Sequence, residues 1–306
     1  MNVRHFLTVP DLSRAEFEGV LKQAAAWKAS PLGDVLAGKT VALIFGKPST
    51  RTRVSFSVGV HQMGGMPLYL AEHELQLRKS ESIEDTARVL SRFVAGIVIR
   101  TFAQKDVEDL AANSTVPVIN ALTDDNHPCQ ALGDIFTLSE RFSDLAGRKI
   151  VYLGDGNNVA ASLAEAAAMG GLDMCLCVPE GCDLPAAQMA SVAELARSCG
   201  TRVWVERDPA KAVQGASAVY TDVWTSMGQQ LDAAKVERLR PYQLNGELLA
   251  KALPEAIVLH CLPAHRGEEI TDEAMDGSQS AVFDQAENRL HVQKALMAFL
   301  IGGRPL

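Results

Sequence analysis

Residues 49–53 read Ser-Thr-Arg-Thr-Arg and gather three hydroxyls and two guanidinium groups directly after the apolar run Lys39-Thr-Val-Ala-Leu-Ile-Phe45. If that run is a strand and Ser49, Thr50, Arg51, Thr52 and Arg53 open a helix, backbone N–H groups and the helix dipole join the side chains. The chemistry then available is the capture of a phosphate-like anion. An isolated Ser-Thr pair is more often a helix cap, but five anion-binding residues in succession go beyond what a cap needs. The Gly-Lys-Ser/Thr ending of a nucleotide P-loop is absent.

Three further segments bear chemistry. Asp124-Asp-Asn-His-Pro-Cys-Gln130 follows a short apolar run; Pro128 suits a first helical turn, His127 offers a donor to a carbonyl oxygen, and Gln130 matches an amide. His260-Cys-Leu-Pro-Ala-His-Arg266 follows the run at 257–259, so Cys261 and Leu262 fall at a strand's carboxyl end, where open α/β sheets place ligands. Asp222-Val-Trp-Thr-Ser-Met-Gly228 supplies a carboxylate and hydroxyls suited to an α-amino and carboxylate group. Gly154-Asp-Gly-Asn-Asn158 raises a dinucleotide fold, but Val159 stands in place of the third glycine, and Asn157 and Asn158 present amides instead. The spacings of His127, Cys129, His260, Cys261 and His265 match no common zinc pattern, so neither a metal nor another cofactor is expected. No base stands beside Cys261 in sequence, which favours an orienting thiol over an acylated nucleophile.

The elements that must hold these segments alternate. Apolar runs at 39–45, 96–100, 117–120, 149–153, 174–178, 202–205, 218–221 and 257–261 read as strands buried on both faces of parallel sheets. Helical patterns lie at 53–63, 82–92, 104–112, 130–142, 159–170, 185–199 and 286–300. Such alternation predicts an α/β fold. The pattern divides near 145–148, giving two domains, each a parallel sheet flanked by helices, joined by interdomain helices with a cleft between them. They are residues 1–145 and 146–306, with the helix at about 286–302 packing back on the first.

The 306 residues suffice for two such cores. A formal charge of −8 with no concentrated basic patch argues against nucleic acid as a partner. Residues 1–14 lack the pattern of a secretory leader, and no apolar run approaches the roughly 20 residues of a membrane span, so a cytoplasmic protein is expected. Six cysteines without a regular framework fit reduced thiols.

Together, in this order, the four motifs resemble those of the aspartate/ornithine carbamoyltransferase family, from His5-Phe-Leu to Glu287-Asn-Arg-Leu-His291. The resemblance implies transfer of the carbamoyl group of carbamoyl phosphate to the δ-amine of L-ornithine. It implies carbamoyl phosphate binding by Ser49, Thr50, Arg51, Thr52 and Arg53, with Gln76 from a neighbouring subunit and Arg289 from the last helix. Arg100, His127 and Thr52 would polarise the carbamoyl oxygen, and Gln130 and the Leu262 carbonyl would hold its NH2. Asn158, Asp222, Ser226, Met227 and Cys261 would bind ornithine, Cys261 and Asp222 orienting the reacting amine. The candidate catalytic residues are thus Arg53, Arg100, His127, Gln130, Asp222 and Cys261, in a homotrimer or a multiple of trimers.

The chain departs from the family pattern at Gly46, Ser57 and Arg78, which removes two expected carboxylates and adds a cation beside the anion site, and at Gln230, where Glu is usual. Two rival readings are a carbamoyltransferase for another amine, such as putrescine, lysine or an acylated ornithine, and a nucleotide-dependent dehydrogenase, which the incomplete glycine fingerprint disfavours.

Overall fold

The computed structural model describes residues 3–71, 81–225 and 232–306. The chain divides into two compact units, Met1–Gly133 with Glu287–Leu306, and Asp134–Ala286. The helices Pro128–Arg141 and Val282–Leu300 carry the chain from one unit to the other.

The first unit is built on a four-stranded parallel sheet: β1 (Thr40–Phe45), β2 (Met66–Ala71), β3 (Gly96–Arg100) and β4 (Val118–Leu122), in the order β2-β1-β3-β4. The interior strands are apolar at successive positions because helices cover both faces. After β1 the chain crosses to β2 on one side and then to β3 on the other. The carboxyl ends of β1 and β3 therefore flank a topological switch point, where side chains from two loops can converge on a ligand. Register places Phe45 beside Arg100, and Arg100 beside Leu122, so the loops after three strands leave the same edge.

The second unit repeats the arrangement with five parallel strands: β5 (Lys149–Leu153), β6 (Asp173–Cys177), β7 (Val203–Glu206), β8 (Ala218–Thr221) and β9 (Ile257–His260), in the order β7-β6-β5-β8-β9. Its switch point lies between β5 and β8, and Leu153, Thr221 and His260 sit side by side at the strand ends. The alanine-rich helix Asn158–Met169 is buried nearly all round, as expected of a helix closely packed on its neighbours.

Eight of these strands coincide with apolar runs in the sequence. The ninth, β2 (Met-Pro-Leu-Tyr-Leu-Ala), is as apolar in sequence but lies outside the runs expected as strands; it sits at the sheet edge with Pro67 and an exposed Met66. The helix Arg14–Ala29 lies outside the helical segments expected above, although Ser13 and Glu16 form a capping box at its start. None of the six cysteines is in a disulfide. Among the described residues no helix is long and apolar enough to cross a membrane.

Candidate active site

The first unit brings the residues expected to bind an anion to the carboxyl edge of its sheet. Ser49 caps the helix Thr50–Gln62, its hydroxyl accepting from the Thr52 N–H at 3.3 Å. The helix interior is apolar on the face that carries Phe56 and Val60, so the first turn is fixed by packing while Thr50, Arg51 and Arg53 remain exposed. The Arg53 guanidinium lies over the Tyr69 ring, 3.7 Å from its centroid, a stacking that restricts a long side chain without cancelling its charge. Thr52 is fully buried, and Arg289 of the last helix donates to its hydroxyl at 2.6 Å.

Two more loops reach the same edge. Arg100 ends β3 and is buried. His127 stands at the start of the helix Pro128–Arg141, its carbonyl accepting from the Ala131 N–H at 3.2 Å, with Gln130 buried one turn along. The turn before it is closed by Thr123, whose N–H donates to the Asn126 carbonyl at 2.8 Å and whose hydroxyl donates to Gln104 at 2.7 Å. Burial, reinforced by the charges of Arg289 and Arg100, pushes the His127 imidazole well below its usual range. At neutral pH the ring is therefore uncharged and acts as a neutral hydrogen-bond donor. Burial also pushes the neighbouring Cys129 thiol up to about 12 despite Arg289, which leaves it inert.

One structural support at this edge was not evident from sequence. Lys47, buried, pairs with Asp124 and lies 4.6 Å from the centroid of the Phe102 ring. The pair links the loop after β1 to the loop after β4.

The second unit holds a carboxylate in a fixed orientation. Asp222, buried just beyond β8, accepts from the Cys261 thiol at 2.8 Å on one oxygen and from the Asn157 amide at 2.9 Å on the other. Asn157 is itself anchored as the cap of the helix Asn158–Met169: its oxygen accepts from the N–H groups of Val159 and Ala160 and from the Tyr152 hydroxyl. The glycines of this turn answer local needs. Gly154 has φ +131, and a Cβ on Gly156 would stand 2.6 Å from the Cys182 carbonyl oxygen. The turn thus serves close backbone packing.

Beyond β9 the chain turns sharply. Leu262 adopts φ +58 and is joined to Pro263 by a cis peptide bond. A left-handed leucine costs roughly 1–2 kcal/mol, so its surroundings must hold it. They do so through His260: the Leu262 N–H donates to Nδ1 at 2.8 Å, leaving the ring proton on Nε2 to donate to Glu269 at 3.0 Å. Asp222, His260 and Cys261 bring one potential metal-ligand atom each within 4.8 Å of one another, but both ring nitrogens of His260 are already committed.

The sequence-derived residues thus sort into two groups. Ser49, Thr50, Arg51, Thr52, Arg53, Arg100, His127, Gln130 and Arg289 belong to the first unit, and Asn158, Asp222, Cys261 and Leu262 to the second. Gln76, Ser226 and Met227, with the departures Arg78 and Gln230, lie outside the described residues. Of the two neighbouring asparagines it is Asn157, the cap, whose amide donates to Asp222, while Asn158 begins the helix.

Comparison with known proteins gives matches along the whole chain. Residues 4–140 match the family model described as aspartate/ornithine carbamoyltransferase, carbamoyl-P binding domain, and residues 146–300 match the Asp/Orn binding domain of the same family. The ornithine carbamoyltransferase of Acidothermus cellulolyticus is 51% identical over 311 residues, covering 99% of both chains. That of Symbiobacterium thermophilum is 50% identical over 303 residues, covering 97% of this chain and 98% of its own. Among solved structures, ornithine carbamoyltransferase from Pyrococcus furiosus superimposes with a TM-score of 0.94 at 46% identity, covering 99% of this chain and 98% of that one.

Proposed function

This chain belongs to the aspartate/ornithine carbamoyltransferase family, and we propose that it transfers the carbamoyl group of carbamoyl phosphate to the δ-amine of L-ornithine, giving L-citrulline and phosphate. The observation that carries the choice of acceptor is the Asp222 carboxylate held by Cys261 and Asn157, in a chain half identical to ornithine carbamoyltransferases over nearly its whole length. A fixed, buried carboxylate beside a thiol is suited to orienting a primary amine.

The assignment of residues follows from what the reaction demands. The leaving phosphate must be neutralised, and Arg51 and Arg53 at a helix N-terminus supply charge where N–H groups already point. The carbonyl oxygen becomes more negative as the amine adds. Arg100, the neutral His127 and Thr52 are the donors for it, while Arg289 orients the Thr52 hydroxyl. Gln130 and the Leu262 carbonyl take the carbamoyl NH2. The attacking amine must be neutral although its ordinary pKa is about 10.4, so one proton leaves it for solvent before attack, and a second passes to the departing phosphate as the C–N bond forms and the C–O bond to phosphate breaks. Asn158, Ser226 and Met227 are assigned to the α-amino and carboxylate end of ornithine, and Gln76 to the phosphate.

In this reading residues 1–145 form the carbamoyl phosphate domain and residues 146–306 the ornithine domain, the last helix returning to the first. The active assembly is a homotrimer or a multiple of trimers, Gln76 acting from a neighbouring subunit. The protein works in the cytoplasm in the biosynthesis of arginine. Neither a metal nor another cofactor is assigned a step. Support for the assembly and the setting comes from family membership.

A citrulline assay tests the proposal: purified protein with carbamoyl phosphate and L-ornithine, and in parallel with putrescine, L-lysine or an N-acylated ornithine. L-ornithine is expected to be the preferred acceptor by kcat/KM. No citrulline, or a higher kcat/KM with another amine, overturns the assignment.

A further inference from the structure

We propose that Glu269 is a positioning residue for the reaction: through His260 it holds the Leu262 main chain and the adjoining Cys261 in their working geometry. The inference rests on the reading of Cys261 and Leu262 given above and assigns a role to a residue outside that reading.

Glu269 is fully buried, whereas its neighbour Glu268 is exposed. One oxygen of the Glu269 carboxylate accepts twice, from His260 Nε2 at 3.0 Å and from the His265 backbone N–H at 2.6 Å. It therefore grips both ends of the loop that contains Cys261, Leu262 and Pro263. His260 is committed on its other side as well. Its Nδ1 accepts from the Leu262 N–H at 2.8 Å, so the tautomer with hydrogen on Nε2 is the one that completes both contacts.

The backbone N–H of His260 donates to Gln285 at 2.8 Å, and Gln285 in turn donates to Asp134 at 2.7 Å, which fixes the start of the loop from below. Leu262 occupies the left-handed region, which a leucine keeps only where its neighbours impose it. The Leu262 N–H bond to His260 is a direct restraint on that residue. Without the carboxylate, the imidazole is free to flip or change tautomer, the Leu262 N–H loses its acceptor, and the carbonyl and the Cys261 thiol turn with it.

The experiment compares Glu269→Gln, Glu269→Ala, His260→Asn and His260→Gln with the wild type. The wild-type protein must first form citrulline; if it does not, the reading of function fails and not this inference. Glu269→Gln keeps an acceptor oxygen and is expected to stay within about threefold of wild type. Glu269→Ala is expected to lower kcat and raise the ornithine KM, with kcat/KM falling about 10- to 100-fold. Binding of inorganic phosphate, whose assigned contacts lie in the first unit, should stay within about twofold by calorimetry.

The His260 pair tests the relay whether or not Glu269→Ala folds. His260→Asn retains an acceptor close to Nδ1 and is expected to exceed His260→Gln, which reaches toward Glu269 but not Leu262, about tenfold in kcat/KM. Wild-type kinetics in Glu269→Ala, equal damage from Glu269→Gln and Glu269→Ala, phosphate binding lost along with turnover, or full activity in His260→Gln would each overturn the proposal.

Discussion

The Cys261 thiol donates to one oxygen of Asp222 at 2.8 Å, across 39 positions of sequence. With the Asn157 amide on the other oxygen, the thiol fixes the direction in which the carboxylate faces, as orienting an amine requires. Cys261→Ser keeps a donor, and Cys261→Ala removes it. A lost hydrogen bond to a charged group costs roughly 1.5–3 kcal/mol. Cys261→Ala should therefore raise the ornithine KM by one to two orders of magnitude, with Cys261→Ser between it and wild type. Steady-state kinetics with L-ornithine varied checks the order.

Arg100→Ala should reduce citrulline formation by about 100- to 1,000-fold, the typical cost of removing one donor from a developing oxyanion. Circular dichroism should show the fold retained. Turnover close to wild type would remove Arg100 from the site.

Thr52→Val keeps the shape of a buried side chain while deleting the hydroxyl that Arg289 contacts. The Arg289 Nη2 then faces a methyl group where it had the Thr52 hydroxyl, and the loss of that contact weakens the site. Binding of carbamoyl phosphate, measured by calorimetry, should fall about tenfold or more. Unaltered affinity would show that Arg289 needs no help from Thr52.

His127 is held well below its usual pKa by burial and by two guanidinium groups, so it binds no proton at pH 6.5, where the unfolded chain is half protonated. Because the unfolded state binds more protons, this histidine makes stability fall as pH drops below about 6.5. Chemical denaturation of wild type and His127→Asn at pH 7.5 and 5.5 should show a smaller loss in the variant. The acid limb of kcat/KM should likewise not reflect a group near 6.5 at this position.

Lys294 acts in the same direction at higher pH. Burial brings it down to about 8, while its ammonium donates to the Pro31 carbonyl and to Gln62. Between pH 8 and about 10.5 the unfolded lysine holds a proton that the folded one has lost, so this group makes stability rise with pH. Lys294→Met should flatten that rise in melting experiments at pH 7.5, 9 and 10.

Much of the site could be read in the chain because each motif lies at the end of an apolar run. A strand covered on both faces must be apolar at successive positions, so β1, β3, β5, β8 and β9 announce themselves, and the polar residues after them fall on the carboxyl edge. The edge strand β2 is apolar in sequence too, but its proline and its half-buried residues set it apart from the interior strands.

Local sequence could not say which polar groups would meet. Glu268 and Glu269 are alike in sequence, yet one is exposed and the other is buried against His260. Asn157 and Asn158 are equally alike, and only the cap position turns the Asn157 amide toward Asp222. Arg289 reaches Thr52 across 237 positions. Hydrophobic periodicity fixes which faces are covered, because burial acts on each residue through its immediate neighbours along the chain. Hydrogen bonds have reach and direction, so the partners of Asp222, Thr52 and Glu269, and the neutral state of His127, were decided only when distant segments packed together.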